Sequence, residues 1–258
     1  QLAAVADGNA EQIGELRALI AARPDARAWQ RRLATSLRRS ADVALALGRV
    51  GEAREQLEES VERLSALVDD APDNRVWQRD LAHALLDRAE LARMEGDHDG
   101  ARMRLQRANA IVVGLSADTT ARAEWRRLDA LIRARQATLT SDAVALDRSI
   151  DDLARQLDSA PEDVAGRSAL ARTLLARAGR AGDSRDDARR AIAVLAPIAS
   201  DSSDPGLLAP WLQAHALAGS PLPESARARL LRSGFRHPDY LGLLSPLPSA
   251  TAAQAPSR

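Results

Sequence analysis

A chain of 258 residues with 45% apolar and 28% charged side chains has the make-up of a folded, water-facing protein. Its 36 Arg balance its 36 Asp and Glu, it contains neither Cys nor Lys, and aromatic residues come to only 2%. The missing residues exclude disulfide frameworks, thiolate metal sites and reactions that need a lysine on a phosphate or in a Schiff base. A body of Ala, Leu, Arg and Glu, with few β-branched or aromatic residues, argues for helices and against an all-β fold. An absence of Cys suits either redox compartment. No apolar run approaches the roughly 20 residues of a membrane span, and the opening at Gln1, with no basic segment, points to a piece of a longer protein or a mature form.

In chain order, the apolar periodicity predicts a leading helix over 9–22. Pro24-Asp25 then opens an uninterrupted helical stretch that runs to Gly48, with Asp25 placed to cap it or to complement its positive end. Gly48 is a stop signal at the position that favours left-handed backbone. A second helix follows from Glu52 to Val68. The same grammar returns as Pro72-Asp73, a helix to Gly96, and another from Gly100 to Leu115. Two further pairs are predicted over 120–139 with 142–159 and over 162–180 with 184–200, joined by Thr140-Ser141-Asp142 and by Gly182-Asp183. A smaller pair, 206–218 and 223–233, flanks Gly219-Ser220-Pro221. Residues 238–244 suit one short docking turn, and 246–258 have the composition of a disordered tail. That makes about eleven helices.

The helices are written as a repeat. Trp29, Trp77 and Trp125 are spaced 48 residues apart, and each opens a related phrase: Trp29-Gln30-Arg31-Arg32-Leu33, Trp77-Gln78-Arg79-Asp80-Leu81 and Trp125-Arg126-Arg127-Leu128. Residues 24–71 and 72–119 align without gaps at 17 identities in 48. A bulky residue early in the first helix (Trp29), Leu33, a glycine turn (Gly48), Ala53 in the second helix and a closing Pro72 resemble, in order, the tetratricopeptide repeat. The unit here is 48 residues against that family's 34. The excess is about two helical turns per helix, which preserves the inward face. The resemblance implies a right-handed all-α solenoid of antiparallel helix pairs. Its long Trp-Gln-Arg-Asp-Leu phrases also resemble repeat regions of multidomain bacterial signalling proteins, some of them beyond a membrane span behind a Ser/Thr kinase. That favours an extracytoplasmic sensory or docking domain over a cytoplasmic one. One solenoid is expected, with long repeats over 1–140, degenerate shorter ones over 141–245 and a bend near 140.

Nothing supports catalysis. His83, His98, His215 and His237 are scattered, Asp97-His98-Asp99 reads as a solvated turn, and no cofactor or metal motif occurs. Charge sorts by helix instead. The first helices of the four long pairs sum to +7, while the leading and second helices sum to −9. Since the first helices line the concave side in the tetratricopeptide family, the resemblance implies a basic groove. Its expected partner-binding residues are Arg27, Gln30, Arg31 and Arg38, then Arg75, Gln78 and Arg79, then Arg126 and Arg133, with Ala34, Ala82 and Ala130 leaving room for a peptide. Arginine forks suit an acidic or carboxylate-ended peptide. The competing reading is that these charges only neutralise neighbouring helices, and the Trp residues are expected as inter-repeat core. Nucleic acid is disfavoured by the zero net charge and scarce aromatics. The alternative function is a scaffold that forms a homodimer through its degenerate C-terminal helices.

Overall fold

The computed structural model describes residues 1–116, 122–180 and 185–244. Eleven helices follow one another: α1 (Leu2–Ala22), α2 (Arg27–Ala46), α3 (Val50–Asp70), α4 (Arg75–Met94), α5 (His98–Ser116), α6 (Ala123–Thr140), α7 (Ala143–Ser159), α8 (Val164–Ala178), α9 (Arg185–Ala199), α10 (Pro205–Ala218) and α11 (Glu224–Arg232). A 3-10 turn, Pro238–Tyr240, and a four-residue helix α12, Leu241–Leu244, close the described chain. The expected tail over 246–258 and the Gly182-Asp183 turn lie outside the described residues.

The molecule is an all-α solenoid. Each helix from α1 to α11 packs on the next. Alternate helices also meet in the series α2, α4, α6, α8 and α10, so the first helices form an inner layer and the second helices an outer one. Two short side chains at the crossings of α2 with α3 and of α4 with α5 let these paired helices approach closely. In the first repeat Ala34 of α2 lies against α3, where buried Ser60 Oγ donates to the Ala34 carbonyl at 2.8 Å. The next repeat places fully buried Ala82 and Ala108 at the equivalent positions. Ala34, Ala82 and Ala130 are thus core residues, not space for a peptide.

The turns follow the glycine signals. Gly48 and Gly96 take φ of +77° and +80° and end α2 and α4. The third turn, which lacks glycine, forces Ser141 into the same region at φ +61°. Capping differs from expectation by one residue. Asn74, not Asp73, caps α4 by accepting from the Trp77 amide at 3.2 Å, while its counterpart Ala26 has no side chain to offer. α1 starts at Leu2, earlier than predicted, and runs through Gly8 and Gly14 without interruption.

The curvature brings the two ends of the described chain together. The Leu2 amide donates to the Ser233 carbonyl at 3.1 Å, and the Arg236 amide donates to the Ala46 carbonyl at 2.6 Å. Ala46 ends α2, so its carbonyl has no intrahelical partner of its own, and the far end of the chain supplies one.

Candidate binding groove

Between the inner helices and residues 235–240 lies a cavity of about 840 Å³. Its wall is drawn from a matching stripe on each inner helix, set by the three-to-four-residue period of a helix face. Arg38, Asp42 and Leu45 come from α2, and Asp87, Glu90 and Met94 from α4. Further round stand Arg135 and Leu139 of α6, Arg172 and Ala176 of α8, and Gly206 and Gln213 of α10.

Most charges in this wall are already spoken for. Arg38 pairs with Asp87 at 2.7 Å, and Arg135 pairs with Glu90, which also meets Arg93 at 3.3 Å. Arg180 donates to the Thr138 carbonyl and to Ser141 Oγ, closing the C-terminal end of α6 with a cation where the helix dipole favours one.

Arg172 is different. No carboxylate is placed in ion-pair contact with it among the described residues; its guanidinium donates to the Gly206 carbonyl at 3.2 Å. That carbonyl would ordinarily accept the amide four residues on, but residue 210 is Pro210, which has no N–H to give. A proline inside α10 therefore leaves an acceptor that anchors Arg172 at the cavity wall.

Asp42 is the second unusual group. It stands open to water inside the cavity, yet protein surrounds it on most sides. Burial, and then the negative charge of Asp87, push its carboxyl up to about 7, against the opposing pull of Arg38 and Arg172. His83, on the same face of α4, is pushed down to about 4, chiefly by burial, and stays neutral near pH 7. The cavity thus offers a guanidinium with hydrogen-bonding capacity to spare and a carboxyl that holds its proton well above the usual carboxylate range.

The structure distributes the nine sequence-derived residues unevenly. Arg38 lines this cavity. Arg31 and Arg79 instead grip Asp80, at 2.7 and 2.6 Å, and Arg79 continues to Glu124 at 3.0 Å. Asp80 is only 6% exposed, so this chain of charges is part of the packing between inner helices. The Arg31–Asp80 and Arg38–Asp87 pairs both span 49 residues, one more than the repeat. Arg27 pairs with Asp70 at 2.5 Å, and with Gln30 it lines a separate surface recess against α3. Gln30 and Gln78 each bond back to the proline carbonyl before their helix, at 3.1 and 2.5 Å. Arg75 lies over the Trp125 ring at 5.5 Å, Arg126 is exposed, and Arg133 bridges Asp129 and Asp152.

Of the nine sequence-derived residues, only Arg38 lines this cavity. Arg31, Arg38, Asp42 and Leu45 continue one face, and the cavity opens on its C-terminal part. Arg172 and the returning segment 235–240 have no counterpart at 48-residue spacing, and Asp42, whose counterpart is Glu90, was passed over because the sequence reading looked for basic residues.

No protein-family model matches the chain, and no curated protein matches it. Among solved structures, the crystal structure of BtubC (BKLC) from P. vanneervenii is similar over 100% of this chain and 99% of its own, with 16% identity and a TM-score of 0.49. No helix among the described residues is long and apolar enough to cross a membrane. Among them, no group of three or more His, Asp or Glu is arranged to hold a metal ion.

Proposed function

We propose that the protein is a tetratricopeptide-type interaction module, without a catalytic role, that takes an acidic segment of a partner protein into its concave groove. In this reading it is the sensory or docking part of a larger bacterial signalling protein. The observation that carries the proposal is Arg172, a guanidinium at the wall of a peptide-sized cavity with no carboxylate in ion-pair contact. Guanidinium groups bind carboxylates through two parallel hydrogen bonds, and they do so more strongly where water is partly excluded. Asp42 in its protonated form adds a donor beside it. The binding residues are accordingly Arg172 and Asp42, with Arg38 the member of the original set that joins them. Arg31 and Arg79 serve the fold through Asp80.

The test is fluorescence polarisation with labelled acidic peptides, some ending in a free carboxylate, at low and moderate salt. Arg172→Ala is expected to weaken binding about tenfold, the worth of one charge-assisted contact near 1.5 kcal/mol. Arg155→Ala, on the outer helix α7 and paired among the described residues with its helical neighbour Asp152, is expected to change nothing. Equal binding by wild type and Arg172→Ala would remove the groove from the function.

A further inference from the structure

A segment of the chain itself occupies part of this groove. After α11 the backbone turns at Gly234, φ +88°, and runs back across the concave side. There Phe235, His237, Asp239 and Tyr240 all line the cavity. The segment is held by three kinds of contact, each of which another peptide could make. The Arg236 amide caps the free Ala46 carbonyl at 2.6 Å, a backbone bond indifferent to side chain. Asp239 pairs with Arg93 at 2.8 Å. Phe235, 3% exposed, fills an apolar site, with the His237 and Tyr240 rings 6.0 and 5.9 Å from its own.

We propose that residues 235–240 are a displaceable internal ligand of the groove, and that a partner segment competes with them by carrying the same chemistry. This rests on the groove reading above and narrows its ligand: a short stretch that ends in a tight turn, with an aromatic residue, an acidic residue four positions later and a second aromatic beside it, as in Phe235, Asp239 and Tyr240. Closure by the chain's own segment and capture of the partner exclude one another. The contacts suit exchange. The Arg93–Asp239 pair is more than a third exposed on both sides, and water screens such pairs. When Asp239 leaves, Arg93 retains Glu90 at 3.3 Å and is not stranded. The segment itself has no regular structure beyond the 3-10 turn Pro238–Tyr240, and Arg236, Pro238 and Asp239 are exposed.

The chain has no cysteine, so a staple can be placed without interference. A Cβ at residue 48 would lie 3.3 Å from Arg236 Cβ, close to disulfide reach; the strain of a side chain at φ +77° and 3.0 Å from the Arg236 carbonyl oxygen is shared by the oxidised and reduced forms, so the comparison between those two is the decisive one. The probe is a labelled peptide of the sequence 233–244, titrated into four forms of the full chain. These are wild type, the opened variant Phe235→Ala/Asp239→Ala, and Gly48→Cys/Arg236→Cys in its oxidised and reduced states. Circular dichroism establishes that each form is helical. The opened variant is expected to bind at least tenfold tighter than wild type, and the oxidised staple at least tenfold weaker than the same protein reduced. The peptide carrying Phe235→Ala is expected to bind the opened variant at least tenfold more weakly, and the one carrying Asp239→Ala only about two- to fivefold more weakly. Equal affinity across all four forms, or no binding by a fully helical opened variant, overturns the inference. The acidic peptides of the preceding test are titrated alongside. If they bind oxidised and reduced staple alike, the internal-ligand inference fails and the groove reading stands. If only the 233–244 peptide binds, and only to opened forms, the inference stands and the broader class of acidic ligands is wrong.

Discussion

A carboxyl group inside a cavity whose own neighbours include another carboxylate is a titration switch in the accessible pH range. Asp42 holds its proton up to about 7, because burial and then Asp87 disfavour its charged form more than Arg38 and Arg172 favour it. In the unfolded chain the same group titrates at an ordinary carboxylate value near 4. The folded state therefore binds this proton more tightly. The contribution of Asp42 to stability is most favourable below about 4 and is lost as the pH rises through about 7. His83 runs in the opposite sense. Its folded form resists protonation down to about 4, so it costs stability as the pH falls below the usual histidine value. Comparing wild type with Asp42→Asn cancels the histidine. Asparagine keeps the shape and removes the charge, so the variant is expected to melt higher than wild type at pH 8 and at the same temperature at pH 4. Thermal melts at the two pH values check this. A gain of equal size at both would assign the effect to packing and not to charge.

At the scale of the helix and its turn, the two glycines that end α2 and α4 form a natural control pair. Gly48 and Gly96 are repeat equivalents with nearly the same positive φ, so an alanine at either carries the same left-handed strain of about 1–2 kcal/mol. Their surroundings differ. A Cβ at Gly96 meets nothing within 4 Å, whereas one at Gly48 lies 3.0 Å from the Arg236 carbonyl oxygen. Gly96→Ala is thus expected to cost the strain alone. Gly48→Ala should cost about 1 kcal/mol more, by the order of magnitude that overpacking carries. Urea unfolding midpoints measure the difference, and equal losses would mean that the returning segment gives way freely. Such turns were legible in the sequence, because glycine at a left-handed position is a local requirement that the 48-residue spacing repeats. So was the packing stripe of each inner helix. The partners of the arginines were not legible. Arg31 meets Asp80 and Arg38 meets Asp87 only because neighbouring inner helices lie side by side with a one-residue offset, which no property of either helix alone encodes. Arg172 was hidden for a related reason: its anchor depends on Pro210, thirty-eight residues away on another helix.

At the scale of the molecule, an open solenoid has contacts only between neighbours, and losing a terminal unit is felt mainly by the unit next to it. This chain departs from that rule. Residues 233–240 touch α1 through Leu2, α2 through Ala46 and α4 through Arg93, helices that stand at the opposite end of the sequence. Closure results from the summed rotation between successive helix pairs, a quantity spread over every crossing, so it left no motif to read. Its energetic weight can be approximated. Burial of Phe235 contributes about 2–3 kcal/mol, the Arg236–Ala46 hydrogen bond about 1, and the exposed Arg93–Asp239 pair less than about 1. Deleting residues 235–258, which also removes Tyr240, Leu243 and Leu244 from the core and the Arg227 bonds to the Leu243 and Leu244 carbonyls, is therefore expected to cost at least about 4 kcal/mol, and the place where the loss appears is more informative than its size. If the ring is closed by these contacts, hydrogen exchange should accelerate in α1, in the last turn of α2 and in α4, as well as in α10 and α11. The outer helix α7, which lines no part of the cavity, should keep its protection. A loss confined to α10 and α11 would show that the returning segment merely rests on the groove. The N-terminal repeats would then behave as those of an open solenoid, and the binding surface would be free at all times.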